Sequence, residues 1–135
     1  MPIAIWDASL SIGVPEIDAQ HQRLMALVNE VEAAISEHHD AEIAASALRT
    51  LCDYAVEHFA AEEALMDMDS YADYDQHMGA HMDGTTKALE FLQAVGEDKP
   101  VDMPAFLAYL SLWVREHIME MDQGLGRHLR ATGRV

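Results

Sequence analysis

Six polar residues occupy positions that the helical rhythm of this chain assigns to a buried core. They are five histidines and one glutamate: His21, His58, Glu62, His77, His81 and His117. One buried histidine is usually a hydrogen-bonded core residue, but each buried polar group left without a partner costs about 1–3 kcal/mol. Six such groups therefore predict a shared partner. Imidazoles and carboxylates are the side chains that hold metal ions in helix bundles.

Local spacing supports chelation by neighbouring side chains. His58 and Glu62 are four residues apart, and so are His77 and His81. Residues at i and i+4 lie on one face of a helix, where two side chains can hold one ion. A single pair of this kind is a weak signal, but two pairs with two further histidines are a strong one.

Spacing alone does not decide which acidic residue joins His117 in the metal site. Glu120 follows this histidine by three residues and Asp122 follows it by five. Five residues correspond to about 140° around an ideal α-helix, so the periodicity favours Glu120 without excluding Asp122.

Four amphipathic segments carry these residues. Apolar positions recur at alternating steps of three and four in four stretches: 17–35, 44–65, 74–95 and 106–121. This rhythm is typical of helices that face a bundle core. Short connections separate the segments, at roughly 37–41, 67–73 and 96–103. We therefore predict an all-α fold, an antiparallel up-down-up-down four-helix bundle with an extended N-terminal arm.

Antiparallel order brings the candidate residues to one end of the bundle. The histidines of the first and third segments lie near the helix starts, and the polar residues of the second and fourth segments lie near the helix ends. In an antiparallel bundle these four ends form one layer. The sequence therefore predicts a single metal-binding layer.

The length of 135 residues predicts one domain. Within it we expect an N-terminal arm over 1–16 with Trp6 as an anchor, a bundle over 17–122 and a frayed C-terminal tail over 123–135.

The chain is strongly acidic, because 24 Asp and Glu residues against 8 Lys and Arg residues give a net charge of −16. This charge disfavours binding to nucleic acid and to anionic membrane surfaces. The sequence shows no basic leader and no long apolar run, and its one cysteine, Cys52, leaves no intrachain disulfide. We therefore expect a cytoplasmic protein.

Four stretches resemble the signature of the hemerythrin family, in the family's order: Asp-Ala-Gln-His21-Gln-Arg-Leu, His58-Phe-Ala-Ala-Glu62, His77-Met-Gly-Ala-His81 and His117-Ile-Met-Glu-Met-Asp122. The resemblance runs from Trp6 to Asp122 and is closest to the stand-alone bacteriohemerythrins. It implies that Asp122, and not Glu120, is the last metal ligand.

The same resemblance implies a cofactor of two non-haem iron ions joined by an oxo or hydroxo bridge. The implied ligands form a three-histidine group, a two-histidine group and a pair of bridging carboxylates: His77, His81 and His117; His21 and His58; Glu62 and Asp122. One iron then has six ligands and the other has five, so the two-histidine iron keeps an open position. The implied function is reversible O2 binding at that position.

An apolar wall around the open position is also implied by the resemblance. Its members are Leu24, Phe59, Trp113, Val114 and Ile118. A dry apolar pocket withholds protons and water, which favours reversible binding over oxidation. No catalytic residue is assigned.

Three functions fit these residues. The first is an oxygen carrier, store or delivery protein, and the second is a di-iron peroxidase or oxidase. The third is an oxygen or redox sensor that acts through a protein partner. Ferritin-type oxidases use Glu-x-x-His motifs, and the sequence contains none, which argues against that kind of enzyme.

Two positions depart from the family pattern. Gly84 stands three residues after His81, where relatives commonly carry an aromatic residue. It is either a change in packing or a wider path beside His81 that admits water. Gln123 stands where many relatives have lysine, which alters the charge next to Asp122.

Overall fold

The computed structural model describes residues 4–38, 40–66 and 71–133, and within these ranges the chain is helical with no strand. Its α-helices are α1 Pro15–Ala33, α2 Ala41–Leu65, α3 Tyr74–Gly96, α4 Met103–Glu116 and α5 Gln123–Ala131. In the bundle, α1 and α3 each contact both α2 and α4. The predicted all-α four-helix bundle is confirmed.

The helices begin where the sequence supplies caps. Pro15 stands in the first turn of α1, where its missing N–H costs no hydrogen bond. The Asp40 carboxylate accepts from the N–H groups of Glu42 and Ile43 at 2.8 and 3.2 Å, which caps α2. Asp102 caps α4 in the same way. Its carboxylate accepts from the Ala105 N–H at 3.0 Å.

Two stretches are wound as π-helix. Ala34–His38 extends α1, and His117–Asp122 joins α4 to α5 without a break. In the second stretch the Gln123 N–H donates to the Ile118 carbonyl, five residues back instead of four. A single helical rod therefore runs from Met103 to Ala131.

Two apolar clusters stabilise the bundle. The larger one fills its middle and includes fully buried residues such as Leu10, Val28 and Leu48. The smaller one, which we call the apolar cap, covers the end where the predicted ligands lie. Its buried members come from the arm, α1, the α2–α3 connection and α5: Ile12, Val14, Ile17, Met66, Tyr71, Leu125 and Leu129.

The prediction of a frayed tail over 123–135 is wrong for 123–131, which form α5. Leu125 and Leu129 are fully buried in the apolar cap. A Cβ at Gly126 would lie 2.2 Å from the Ile12 carbonyl oxygen, so only glycine lets the arm cross the helix this closely. Gly126 is therefore a packing site between the arm and α5. Residues 134–135 lie outside the described ranges.

The N-terminal arm is held against the bundle. Asn29 receives a hydrogen bond from the Ala4 N–H at 2.9 Å and donates to the Ala4 carbonyl at 2.8 Å. Trp6 is partly buried against the main core, and a short 3₁₀ helix spans Ala8–Leu10. Helix α1 begins two residues before the expected boundary, at Pro15. Residues 1–3 of the arm, and 67–70 of the α2–α3 connection, lie outside the described ranges.

Across the described parts of the chain, no helix combines the length and the apolar character that crossing a membrane requires.

Candidate metal centre

The seven predicted ligand residues meet at one end of the bundle. Each is at most 6% exposed, and the side chains come from α1, α2, α3 and the π-helical turn that follows α4: His21, His58, Glu62, His77, His81, His117 and Asp122. Antiparallel packing produces this meeting, since two helices start and two end at the same layer.

The side chains form two donor groups that share both carboxylates. The first group contains three histidines, and the second contains two: His77, His81 and His117 with Glu62 and Asp122; His21 and His58 with Glu62 and Asp122. Within each group the potential ligand atoms lie within 4.8 Å of one another, which is close enough to surround a metal ion.

Glu62 presents one carboxylate oxygen to each group. Its Oε2 lies 3.1 Å from His77 Nε2 and 3.9 Å from His81 Nε2, on the three-histidine side. Its Oε1 lies 3.6 Å from His21 Nε2 and in close contact with His58 Nε2, on the two-histidine side. This is the orientation of a carboxylate that can bridge two ions.

The two carboxylate oxygens of Asp122 are also divided between the two histidine groups. Its Oδ2 lies 2.9 Å from His21 Nε2. Its Oδ1 lies 2.9 Å from His77 Nε2 and 3.1 Å from His117 Nε2. Both acidic residues thus stand between the two groups of imidazoles.

The π-helical turn explains why Asp122, and not Glu120, joins the centre. In a π-helix the hydrogen bond spans five residues, so a residue at i+5 comes close to the face of residue i. Asp122 is fully buried beside His117, whereas Glu120 is exposed. This local winding places Asp122, and not Glu120, among the histidines.

Several buried ligand atoms have no hydrogen-bond partner among the described residues. They include both ring nitrogens of His21, Glu62 Oε1 and both oxygens of Asp122. These atoms approach one another closely, yet no properly directed hydrogen bond joins them. Buried donor atoms that face one another without directed hydrogen bonds fit bound cations, so the donor set suits the metal centre that the sequence predicts.

Comparison with known proteins agrees with this geometry. Residues 12–129 match the family model described as the hemerythrin HHE cation binding domain. The chain belongs to the hemerythrin family. A hemerythrin-like protein of Naegleria gruberi is 33% identical over 117 residues, which cover 87% of this chain and 86% of that protein.

Two further comparisons extend the likeness over nearly the whole chain. The bacteriohemerythrin of Stenotrophomonas maltophilia is 29% identical over 134 residues, covering 97% of this chain and 84% of its own length. A crystal structure of a hemerythrin point mutant superposes with a TM-score of 0.84 at 23% identity, covering 94% of this chain and 97% of that one. The structural likeness supports the hemerythrin fold.

Two residues beyond the seven orient the imidazoles of this hemerythrin, and sequence reasoning missed both. Gln20 Oε1 accepts from His58 Nδ1 at 2.6 Å, and Glu63 Oε1 lies 3.4 Å from His81 Nδ1. A partner on the second ring nitrogen fixes which nitrogen faces the ion. Gln20 directly precedes His21, but no sequence signal links it to a histidine 38 residues away.

Aromatic rings cover two of the imidazoles. Trp113 stacks on His117 with ring centroids 4.7 Å apart and planes 6° apart, and Phe59 stacks on His81 at 3.9 Å and 12°. A Cβ at Gly84 would lie 2.7 Å from Trp113 Cζ2. The indole therefore occupies the space next to Gly84, which favours the packing interpretation of this glycine over a wider path.

The Gln123 side chain contacts the N-terminal arm. Its side-chain amide donates to the Ser11 carbonyl at 2.9 Å and so ties the arm to the start of α5.

A cavity of about 350 Å³ reaches the two-histidine side of the centre. All five residues of the expected apolar wall line it: Leu24, Phe59, Trp113, Val114 and Ile118. Both residues of the two-histidine group, His21 and His58, line the cavity, and so does the shared Asp122. Of the three-histidine group only His117 does. The cavity therefore borders the two-histidine group more fully than the three-histidine group.

The contacts between imidazoles and carboxylates shift several pKa values. Burial alone lowers the pKa of His21 and of His77, but contact with Asp122 and Glu62 raises both to about 9. Burial and the charge of Asp122 act to raise the pKa of Glu62, but its histidine contacts outweigh them and lower it to about 2. Burial lowers the pKa of His81 to about 3. Burial acts to raise the pKa of Asp122, but the charge and contact of His117 and the contacts of His21 and His77 hold it well below its ordinary value. At neutral pH the metal-free centre therefore holds protons on two imidazoles and keeps both carboxylates ionised.

We expect only the metal-free protein to lose stability between pH 6.5 and pH 9. His21 and His77 bind protons more tightly in the folded chain than at their ordinary pKa of 6.5. Their contribution is complete below pH 6.5 and is lost as the pH rises through 9. A bound metal ion replaces these protons, so a higher pH strengthens its binding instead.

Melting temperatures at the two pH values, measured with a chelator and with zinc, check this expectation. Zinc is a suitable ion because it binds imidazole and carboxylate without redox chemistry. Equal losses in the two states would show that the imidazoles do not hold these protons.

Proposed function

We propose that this hemerythrin binds O2 reversibly at a non-haem di-iron centre and acts as an oxygen carrier, store or delivery protein. The observation that supports this most is the sharing of Glu62 and Asp122 by two unequal histidine groups. Three histidines on one side and two on the other leave one ion with a free position, which a reactive centre needs.

The proposed ligands are the seven residues of the centre, with the three-histidine group on one iron and the two-histidine group on the other. Two ferrous ions would supply the electrons that O2 binding requires. Imidazoles outnumber carboxylates in the donor set. Such a set suits ferrous iron better than cations that prefer oxygen ligands, such as magnesium or calcium. Gln20 and Glu63 keep His58 and His81 oriented through their second nitrogens.

The apolar wall would exclude water and proton donors from the open position. Val114 and Ile118 are 7% and 2% exposed, and Leu24 is 7% exposed. None of these side chains can deliver a proton to a ligand that enters from the cavity. A surrounding of this kind favours release of O2 over its reduction.

An enzyme is the alternative that absorption spectra separate from a carrier, and a sensor is a second alternative. A di-iron peroxidase or oxidase would consume O2 and would need a proton source beside the open position, which the five residues of the apolar wall do not offer. A sensor would share the same O2 chemistry and differ in needing a protein partner.

Absorption spectra of the ferrous protein test the proposal. We expect a visible charge-transfer band to appear when O2 is admitted and to disappear under argon, through several cycles. The matched control is the zinc-loaded protein, which should show no band. Irreversible consumption of O2 on first exposure would overturn the carrier function and favour the enzyme.

A further inference from the structure

The cavity beside the centre is larger than O2 access requires. Its volume is about 350 Å³. Protein pockets for organic ligands begin at about 300 Å³, and an engineered apolar cavity of about 150 Å³ already binds benzene. The space is therefore sufficient for a molecule of several carbon atoms.

The cavity extends in two directions from its opening. Its lining on α2 runs from Phe59 to Leu48, which is about 16 Å along a helix axis. Val56 on α2 and Leu89 on α3 are 63% and 56% exposed, so the cavity meets solvent between these helices. Val56 lies within one turn of His58, whereas Leu48 lies two turns the other way. One arm of the cavity thus leads to the metal centre and the other leads away from it.

The arm that leads away, which we call the distal arm, is apolar throughout. It is lined by Leu48, Leu51, Ala88 and Leu110, which are 0%, 5%, 7% and 8% exposed. Cys52 also borders it, and burial raises the pKa of this thiol, so it carries no charge at neutral pH. The distal arm therefore offers dispersion contacts and no ionic partner.

Away from the metal centre, the charged and polar residues of the lining lie at the opening. Asp53, Thr85 and Tyr109 border the cavity there. The Asp53 carboxylate, on a chain with a net charge of −16, repels carboxylates and other anions. This charge selects against anions, and the distal arm, which offers no ionic partner, selects against cations because a charge buried there would lose its hydration.

We propose that the distal arm binds a small, uncharged, apolar organic molecule, of the size of a one-ring aromatic hydrocarbon or a short alkane. Burial of its apolar surface beside Leu48, Leu51 and Leu110 drives the binding. The site needs no metal ion, because none of the predicted ligands borders the distal arm.

Toluene is the probe, and the metal-free and zinc-loaded proteins are the samples. We expect saturable shifts of the leucine methyl resonances of Leu48, Leu51 and Leu110 in both samples. Ala88→Leu fills the distal arm and should weaken toluene binding at least tenfold. Ala60→Leu is the matched control, because Ala60 lies on the exposed face of α2 away from the cavity. Benzoate, the anionic relative of toluene, should not bind.

Absence of saturable shifts up to the solubility of toluene would overturn the proposal, and so would equal affinity in Ala88→Leu and the wild type. If Ala88→Leu does not fold, Cys52→Leu fills the same arm from α2 and serves in its place. Because these samples contain no iron, failure here leaves reversible O2 binding untouched, and failure of O2 binding leaves this test intact.

Discussion

Replacing Glu62 with glutamine is expected to remove both metal ions from the protein. Its two oxygens face different histidine groups, so a single change from carboxylate to amide weakens both sites. The amide also turns a donor N–H toward imidazole nitrogens that should bind metal. At a free metal concentration of about 1,000 times the dissociation constant, loss of a bound ion lowers the free energy of unfolding by about 4 kcal/mol per site.

Glu63→Gln is the matched control for this variant. It removes the same charge at the next position, but Glu63 only contacts the outer nitrogen of His81, at 3.4 Å, and its side chain is 29% exposed. We expect full metal content with affinity reduced by about 10–100-fold. The measurements are the metal content and the melting temperature of both variants. Full metal content in Glu62→Gln, or equal loss in both variants, would contradict the bridging role.

Gly84→Ala is expected to destabilise the protein by about 1–3 kcal/mol, although alanine normally favours a helix over glycine by about 1 kcal/mol. The added Cβ would lie 2.7 and 2.8 Å from two ring atoms of Trp113. That indole cannot retreat freely because it stacks on His117. Gly79→Ala in the same helix is the control, since no atom lies within 4 Å of its added Cβ, and it should be stabilising.

The sign of the Gly84→Ala effect should reverse in a Trp113→Leu background. With the indole removed, only the helix preference of alanine remains. Urea unfolding of the four variants in the zinc-loaded state gives the coupling between positions 84 and 113. Equal effects of Gly84→Ala in both backgrounds would show that the indole does not require this glycine.

The fold and the meeting of the histidines could be predicted because both follow from periodicity. Alternating steps of three and four define the buried face of each helix, and antiparallel order then sets which helix ends share a layer. His21, His58 and His117 needed no further information to be placed together.

Asp122 could not be predicted from periodicity, because the reasoning assumed an ideal α-helix. The π-helical turn His117–Asp122 changes the helix face on which the fifth residue after His117 lies. No residue type in that stretch predicts a π-helix. The resemblance to hemerythrins supplied this ligand instead. The same holds for Gln20 and Glu63, whose contacts depend on the positions of helices distant in sequence.

The C-terminal helix was missed for a different reason. Residues 123–135 were expected to fray, and the two glycines at 124 and 126 lower helix stability in isolation. In the folded chain the burial of Leu125 and Leu129 outweighs that cost, and the lack of a side chain at Gly126 lets the arm approach. Tertiary packing overrides local propensity here.

The central claim is that two iron ions share Glu62 and Asp122 and together bind one O2 reversibly. It is tested most directly by adding ferrous iron to the metal-free protein without air and then measuring the O2 taken up and returned. The two donor groups predict two irons per chain. We expect one O2 per pair of irons, recovered under argon. A single iron per chain, or O2 uptake that argon does not reverse, would contradict the claim.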